Sequence, residues 1–268
     1  VDRLVLWDVD GTLVHTRGIG AAVFDRAIER VIGTAPARRL QLSGKTDPQI
    51  VREYLALMVD DPDGQLAIVM KALEAEVAAA ATMIAETGEA LPGVPELLAR
   101  LAAEDGVHQT VLTGNTVSNA VVKLGAFGLE RWLDLEIGAY GSDHADRLEL
   151  VPIARERAAR LRGVQVDPGD TWVVGDTPND LACARAGGAR CLLVATGRWP
   201  FDDLAALHPD ALLADLADTD QAMRILLGES FSAEVAVATR GRDGPGRAAP
   251  ARPAASRRRP RPEGSPPR

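Results

Sequence analysis

The sequence predicts an α/β fold: a Rossmann-like parallel sheet core with helices on both faces and an α-helical insert. Three observations predict it. From Pro92 onward, short apolar runs alternate with helix-period segments, the pattern of a parallel sheet covered on both faces. Between Gly18 and Ala90 the only periodicity is helical. A polar cluster follows each main apolar run, as expected where ligands sit at the carboxyl ends of parallel strands. The core is expected over 1–15 and 91–230, the helical insert over 16–90, and a disordered Arg/Pro/Ala-rich tail over 231–268.

Leu4 to Trp7 is a short buried-type strand that runs into Asp8-Val9-Asp10-Gly11-Thr12, rich in turn formers. Gly18 to Val31 places Ile19, Val23, Ala27 and Val31 at helical spacing, and Asp47 to Val59 repeats the pattern with Ile50, Tyr54, Leu55 and Met58. Gln65 to Glu86 is Ala-rich and reads as one long helix. Val94 to Ala103 is helical, and Gln109 to Leu112 is a β-prone run ending at Thr113-Gly114-Asn115. Val117 to Leu124 returns to helix, and Leu135 to Ala139 is a candidate strand. Leu150 to Leu161 is helical, and Thr171 to Val174 is a strand ending at Gly175-Asp176. Asn179 to Ala186 is a helix stopped by Gly187-Gly188, and Cys191 to Val194 is a strand.

The 268 residues, 46% hydrophobic, suffice for one large domain with an insert. No apolar run reaches bilayer-spanning length, and the chain opens on a strand rather than on a charged region followed by a cleavage site. The expected place is therefore the cytoplasm, with no membrane partner. Cys183 and Cys191 are too few for a disulfide framework and form no metal-ligand cluster, which agrees with a reducing compartment. The net charge of −8 is uneven. Nine arginines against three acids from Ser232 onward give that end about +6, leaving about −14 on the rest. An acidic body argues against nucleic acid as the partner. It admits a small anionic substrate, because a divalent cation can reverse the local sign.

Asp8 and Asp10 flank one residue at the end of a buried strand. At this spacing one carboxylate can attack while the other gives and takes a proton at the leaving oxygen. The same residues could serve only as an acidic turn. Thr113-Gly114-Asn115 offers a hydroxyl and main-chain amides after a strand, or a helix start capped by Asn115. Asp176 and Asp180, four apart at a strand-to-helix turn, can face one cation from the same side; the alternative is capping by Asp176 and Asn179.

With these residues in order, the chain resembles the haloacid dehalogenase-like hydrolases over roughly residues 3 to 227. Asp8-Val9-Asp10-Gly11-Thr12-Leu13 looks like the family's first motif, with Thr12 in support. The resemblance makes Asp8 the nucleophile and Asp10 the general acid and base. It gives phosphoryl binding to Thr113, Gly114 and Asn115. Arg147, in Arg147-Leu148-Glu149-Leu150-Val151-Pro152, stands where the family has a basic residue before a helix. The family's usual Lys is replaced by Arg, which differs in geometry. Arg147 could otherwise be solvated, and nearby His144 could be local structure. Val173-Val174-Gly175-Asp176-Thr177-Pro178-Asn179-Asp180 looks like the last motif, assigning Asp176 to a metal and Asp180 to its support. Hard oxygen ligands beside a phosphate suit Mg²⁺, held by Asp8, the Asp10 main-chain carbonyl and Asp176.

Asp10 points to phosphoryl chemistry rather than dehalogenation, since a halide leaves without a proton whereas an alkoxide benefits from one. The resemblance implies a phosphatase hydrolysing a small phosphorylated metabolite through an aspartyl-phosphate. A phosphomutase acting on a sugar phosphate uses the same motifs, and a non-catalytic phosphate-binding protein would not need both acids. The helical insert resembles the small cap of the phosphoglycolate-phosphatase-like branch. Within it, Lys45 of Ser43-Gly44-Lys45-Thr46-Asp47 is placed to reach the substrate's non-reacting end, unless Thr46 or Asp47 simply caps the next helix.

Overall fold

The computed structural model describes residues 1–228; the tail expected to be disordered lies outside the described residues. At its centre is β1 (Arg3–Trp7), whose side chains alternate between two apolar clusters. Val5 and Trp7 join one face, and Leu4 and Leu6 the other. A strand buried on both faces must be apolar throughout, which is why this run carries no alternation of polarity.

The chain continues through β2 (Val14–His15) into four helices: α1 (Ile19–Ile32), α2 (Asp47–Ala56), α3 (Pro62–Ala79) and α4 (Ala81–Thr87). It returns through β3 (Glu89–Ala90), which pairs antiparallel with β2. The remaining elements are α5 (Val94–Ala102), β4 (Val107–Thr113), α6 (Val117–Gly125), β5 (Ala139–Tyr140), α7 (Leu150–Arg162), β6 (Thr171–Gly175), α8 (Pro178–Ala186), β7 (Arg190–Val194), α9 (Phe201–Ala205), β8 (Ala211–Leu213) and α10 (Thr219–Leu227). The six-stranded sheet has the order β5-β4-β1-β6-β7-β8, with every adjacent pair parallel. Helices α5, α6 and α10 cover the face of Val5 and Trp7; α7, α8 and α9 cover the face of Leu4 and Leu6.

The chain runs from β1 outward on one side through β4 and β5, then crosses to β6 on the other side. The strand order therefore reverses at β1, and a crevice opens there at the carboxyl ends. The four helices between β2 and β3 hold a third cluster of their own, built on Ile28, Val51, Leu55, Val69, Leu73 and Ile84. Val122, Ala126 and Phe127, at and beyond the end of α6, pack against it.

Four expectations need correction. The candidate strand over Leu135 to Ala139 is a 3₁₀ turn at Leu135–Ile137, with only Ala139 and Tyr140 paired to β4. Asp134 accepts from the Glu136 N–H and Leu135 accepts from the Tyr140 hydroxyl, so local polar contacts take this backbone out of the ladder. The long Ala-rich helix starts earlier, at Pro62 behind an Asp61 cap, and is interrupted at Ala80. The segment between Gly18 and Ala90 does hold a strand, β3, whose two residues are too few to show a period. Beyond Val194 the sequence reading missed α9, β8 and α10; α9 and β8 have only five and three residues, whereas α10, with nine, is as long as helices that were read.

Candidate active site

Asp8 is the first residue past β1 and still belongs to the ladder, its N–H donating to the Val174 carbonyl at 2.9 Å. The turn after it is tight: both Leu13 and Val14 donate to the Val9 carbonyl at 3.0 Å. Gly11 adopts φ 86°, and a Cβ there would lie 2.6 Å from Asp176 Oδ2. The turn therefore needs glycine for its backbone and for the carboxylate beside it.

Asp8, Thr113 and Asp176 follow or end β1, β4 and β6, adjacent strands at the switch point. The structure thus brings together Asp8, Asp10, Thr12, Thr113, Asn115, Arg147, Asp176 and Asp180. Arg147 is buried and lies 3.1 Å from Asp8 Oδ1, and its Nη2 also pairs with Asp180. The Arg147 Nε is buried and without a partner among the described residues. Asp180 is fully buried and holds its helix in a capping box: its Oδ2 accepts from Thr177 N at 3.0 Å and Thr177 Oγ1 at 2.6 Å. Thr12 Oγ1 reaches Asp176 Oδ1 at 3.4 Å.

The electrostatics follow from burial. Desolvation raises Asp8 to about 6; Arg147 opposes this, while the charges of Asp180 and Asp10 add to it. Asp176 is raised well above the usual carboxylate range, by desolvation first and then by Asp180 and Asp8. Burial works against the Arg147 charge, but Asp180 and Asp8 outweigh it and its pKa is raised.

Ligand atoms of Asp8, Asp176 and Asp180 lie within 4.8 Å of one another. Three buried carboxylates against one guanidinium leave an excess of negative charge that a divalent cation would offset. A Cβ on Gly197 would lie 1.7 Å from Asp176 Oδ2, so two glycines, Gly11 and Gly197, leave the space around that carboxylate. The donor set and this space fit a hard cation. Because Asp180 is taken up by Thr177 and Arg147, Asp8 and Asp176 are the more available ligands.

Several readings of these residues are settled by the hydrogen bonds. Asn115 does not cap α6; Thr116 does, accepting from Asn119 N at 3.3 Å. Asn115 instead donates through Nδ2 to Asp10 Oδ2 and to Thr113 Oγ1, each at 2.8 Å. Neither Asp176 nor Asn179 caps α8, whose cap is Thr177; Asn179 donates to the Gly44 carbonyl at 2.9 Å. Thr46 does cap α2, and Lys45 beside it pairs with Glu53 at 2.5 Å. Gly114 receives the helical segment: its carbonyl accepts from Asp47 N at 2.7 Å, and a Cβ would lie 2.0 Å from the Lys45 carbonyl.

Asp8, Asp10 and Lys123 line one side of a cavity of about 190 Å³; Phe24, Leu42 and Lys45 of the helical segment line the other. Two of its residues were missed from sequence. Lys123 is buried on α6 and Asp47 on α2. Asp47 accepts from Thr116 N at 3.0 Å and Asn119 Nδ2 at 2.8 Å, and desolvation raises it to about 6 against the pull of Lys123. A signal for Lys123 was present: Asn115, Asn119 and Lys123 repeat every four residues, a polar stripe that starts just before α6 and runs along it.

A family model described as haloacid dehalogenase-like hydrolase matches residues 5–185. The chain belongs to the haloacid dehalogenase-like hydrolases. This hydrolase is 27% identical over 239 residues to a protein of Pseudomonas aeruginosa named phosphoglycolate phosphatase 1, covering 84% of this chain and 82% of that one. It is 28% identical over 239 residues to a Dickeya dadantii protein named "Probable phosphatase IndB", covering 85% and 96%. Among solved structures, CbbY from Rhodobacter sphaeroides in complex with phosphate superposes with a TM-score of 0.62 at 22% identity, covering 81% of this chain and 96% of that one. That likeness shows the shared fold.

Proposed function

We propose that this hydrolase is a Mg²⁺-dependent phosphatase that cleaves a small phosphorylated metabolite through an aspartyl-phosphate on Asp8. The observation that carries the reading is the pairing of Asp8 with Arg147 at 3.1 Å, with Asp10 two residues on and facing the same cavity. In the first step an Asp8 oxygen attacks phosphorus, the ester P–O bond breaks, and a proton passes from Asp10 to the departing oxygen. In the second, water attacks the same phosphorus and gives its proton to Asp10, the P–O bond to Asp8 breaks, and phosphate leaves. Arg147 and the Thr113 hydroxyl hold phosphoryl oxygens, with the Gly114 and Asn115 amides beside them. Thr113 Oγ1 already accepts from Asn115, so its own proton is the one left to give.

Asp8, the Asp10 main-chain carbonyl and Asp176 would hold the cation, which when bound offsets the charge that gathers on the attacking carboxylate and the phosphoryl oxygens. Asp180 orients Arg147, and Thr12 steadies Asp176. The helices of 16–90 act as the cap, closing the crevice over the substrate and excluding water. Lys45, on the cap side of the cavity, meets the substrate's non-reacting end. The two relatives named as phosphatases support hydrolysis as the outcome. The test is a phosphate-release screen across phosphorylated metabolites with Mg²⁺ and with excess chelator, with product analysis. Free phosphate is expected. A positional isomer of the ester as sole product would make the protein a mutase.

A further inference from the structure

Lys123 lies outside the four sequence motifs of the site. It lies in the last turn of α6, and its side chain is only 8% exposed. Burying an ammonium costs several kcal/mol unless its donors are met. Two of the three are: Nζ donates to Asp10 Oδ2 at 2.5 Å and to Asn115 Oδ1 at 2.6 Å. The Asn115 amide has one possible orientation between these neighbours. Lysine only donates, so it takes Oδ1, and the carboxylate and hydroxyl acceptors take Nδ2.

The consequence falls on Asp10. Its Oδ2 accepts from both Lys123 and Asn115, while Oδ1 has no hydrogen-bond partner among the described residues. The Asp10 side chain is 42% exposed and faces the cavity. Left alone, a carboxylate this exposed would sample several rotamers. Two donors on a single oxygen stop that rotation. The same amide that holds Asp10 also holds Thr113 Oγ1, so the Asp10 carboxyl and the Thr113 hydroxyl are fixed relative to each other through Asn115.

We propose that Lys123 is a positioning residue for the reaction: with Asn115 it pins Asp10 Oδ2 and presents Oδ1 to the oxygen of the leaving group. The inference rests on the phosphatase reading, in which Asp10 moves that proton. Lys123 itself touches neither phosphorus nor the leaving oxygen. The proton path is the one already given, from Asp10 to the departing alkoxide and from water back to Asp10.

The test uses two esters that differ in their need for a proton. Phenyl phosphate expels a phenoxide whose conjugate acid has a pKa of about 10, whereas 4-nitrophenyl phosphate expels a far weaker base. The quantity measured is kcat/KM, which covers phosphoryl transfer to Asp8 and departure of the leaving group. Lys123→Met should lose about ten- to a hundredfold on phenyl phosphate, part of the ~10²–10⁴-fold that a general acid supplies. The loss on 4-nitrophenyl phosphate should be several times smaller. Asp10→Asn should show the same skew, and adding Lys123→Met to Asp10→Asn should cost little more. Lys123→Gln, which keeps a donor, guards against a Met variant that fails to fold and should fall between. Equal losses on both esters, additive losses in the double variant, or no loss at all would overturn the assignment. A wild-type protein inert toward both esters and toward every phosphorylated metabolite of the screen would instead overturn the phosphatase reading, and this inference with it.

Discussion

The strand ends and the helical segment build opposite sides of one cavity by different means. At the strand ends, Asp8, Thr113 and Asp176 are fixed by adjacent strands of the parallel sheet, within a residue of regular ladder. On the helical side, Lys45 and Asp47 reach the site because a loop docks: Asp47 N to the Gly114 carbonyl, Asn179 to the Gly44 carbonyl, and the Asp47 carboxylate to Thr116 and Asn119. The first arrangement is as rigid as the sheet. The second rests on polar contacts around two glycines, Gly44 and Gly114, far from one another in sequence.

The largest expected effect tests the rigid side. Asp176→Ala should lower kcat/KM by at least about a hundredfold, since charge neutralisation by a cation is worth several kcal/mol and ~1.4 kcal/mol is a decade. The same variant should lose the rise in melting temperature that Mg²⁺ gives the wild type. An unchanged Mg²⁺ response in the melt would remove Asp176 from the cation site.

The next effect tests the helical side through the pH dependence of stability. Folding raises Asp47 from 3.8 to about 6, so the folded protein holds that proton more tightly than the unfolded chain. Its contribution to stability is complete below about pH 4 and is lost as pH rises through about 6. The shift corresponds to roughly 3 kcal/mol at ~1.4 kcal/mol per unit. Asp47→Asn has no such proton, so its melting temperature should fall less than the wild type's between pH 4.5 and 7. Parallel curves would show that the docked Asp47 is solvated.

Specificity should reside on the helical side. Lys45→Ala should lower kcat/KM for the best anionic metabolite about ten- to a hundredfold, from a lost charge-assisted contact of roughly 1.5–3 kcal/mol. Use of 4-nitrophenyl phosphate, with no anionic tail, should fall much less. Equal losses would confine Lys45 to its pair with Glu53. The smallest effect tests the seam itself. Gly114→Ala places a Cβ 2.0 Å from the Lys45 carbonyl and should cost roughly 1–3 kcal/mol, read from a denaturant melt. No change would mean that the loop shifts freely away from β4.

The contrast also explains what could be read from sequence. The residues at the strand ends sit beside the apolar runs that predict their strands, so Asp8-Val9-Asp10 and Gly175-Asp176 carry their own context. The parallel sheet was legible for the same reason, except for β5 and β8, at two or three residues each. Asp47 was legible only as a helix start, because its partners Thr116 and Asn119 are about 70 residues away. Lys123 left a trace in the polar stripe of Asn115, Asn119 and Lys123. Nothing local says that the stripe faces Asp10, since that depends on how α6 packs beside β1.

Asp8 should itself take the phosphoryl group, and the adduct can be trapped. Wild-type protein, Mg²⁺ and an active ester are mixed, quenched in acid within the first turnover, and digested for mass spectrometry. A phosphoryl adduct should appear on the peptide containing Asp8, be absent from folded Asp8→Asn protein, and accompany loss of phosphate release in that variant. Phosphate release at the wild-type rate by folded Asp8→Asn protein would exclude Asp8 as the nucleophile.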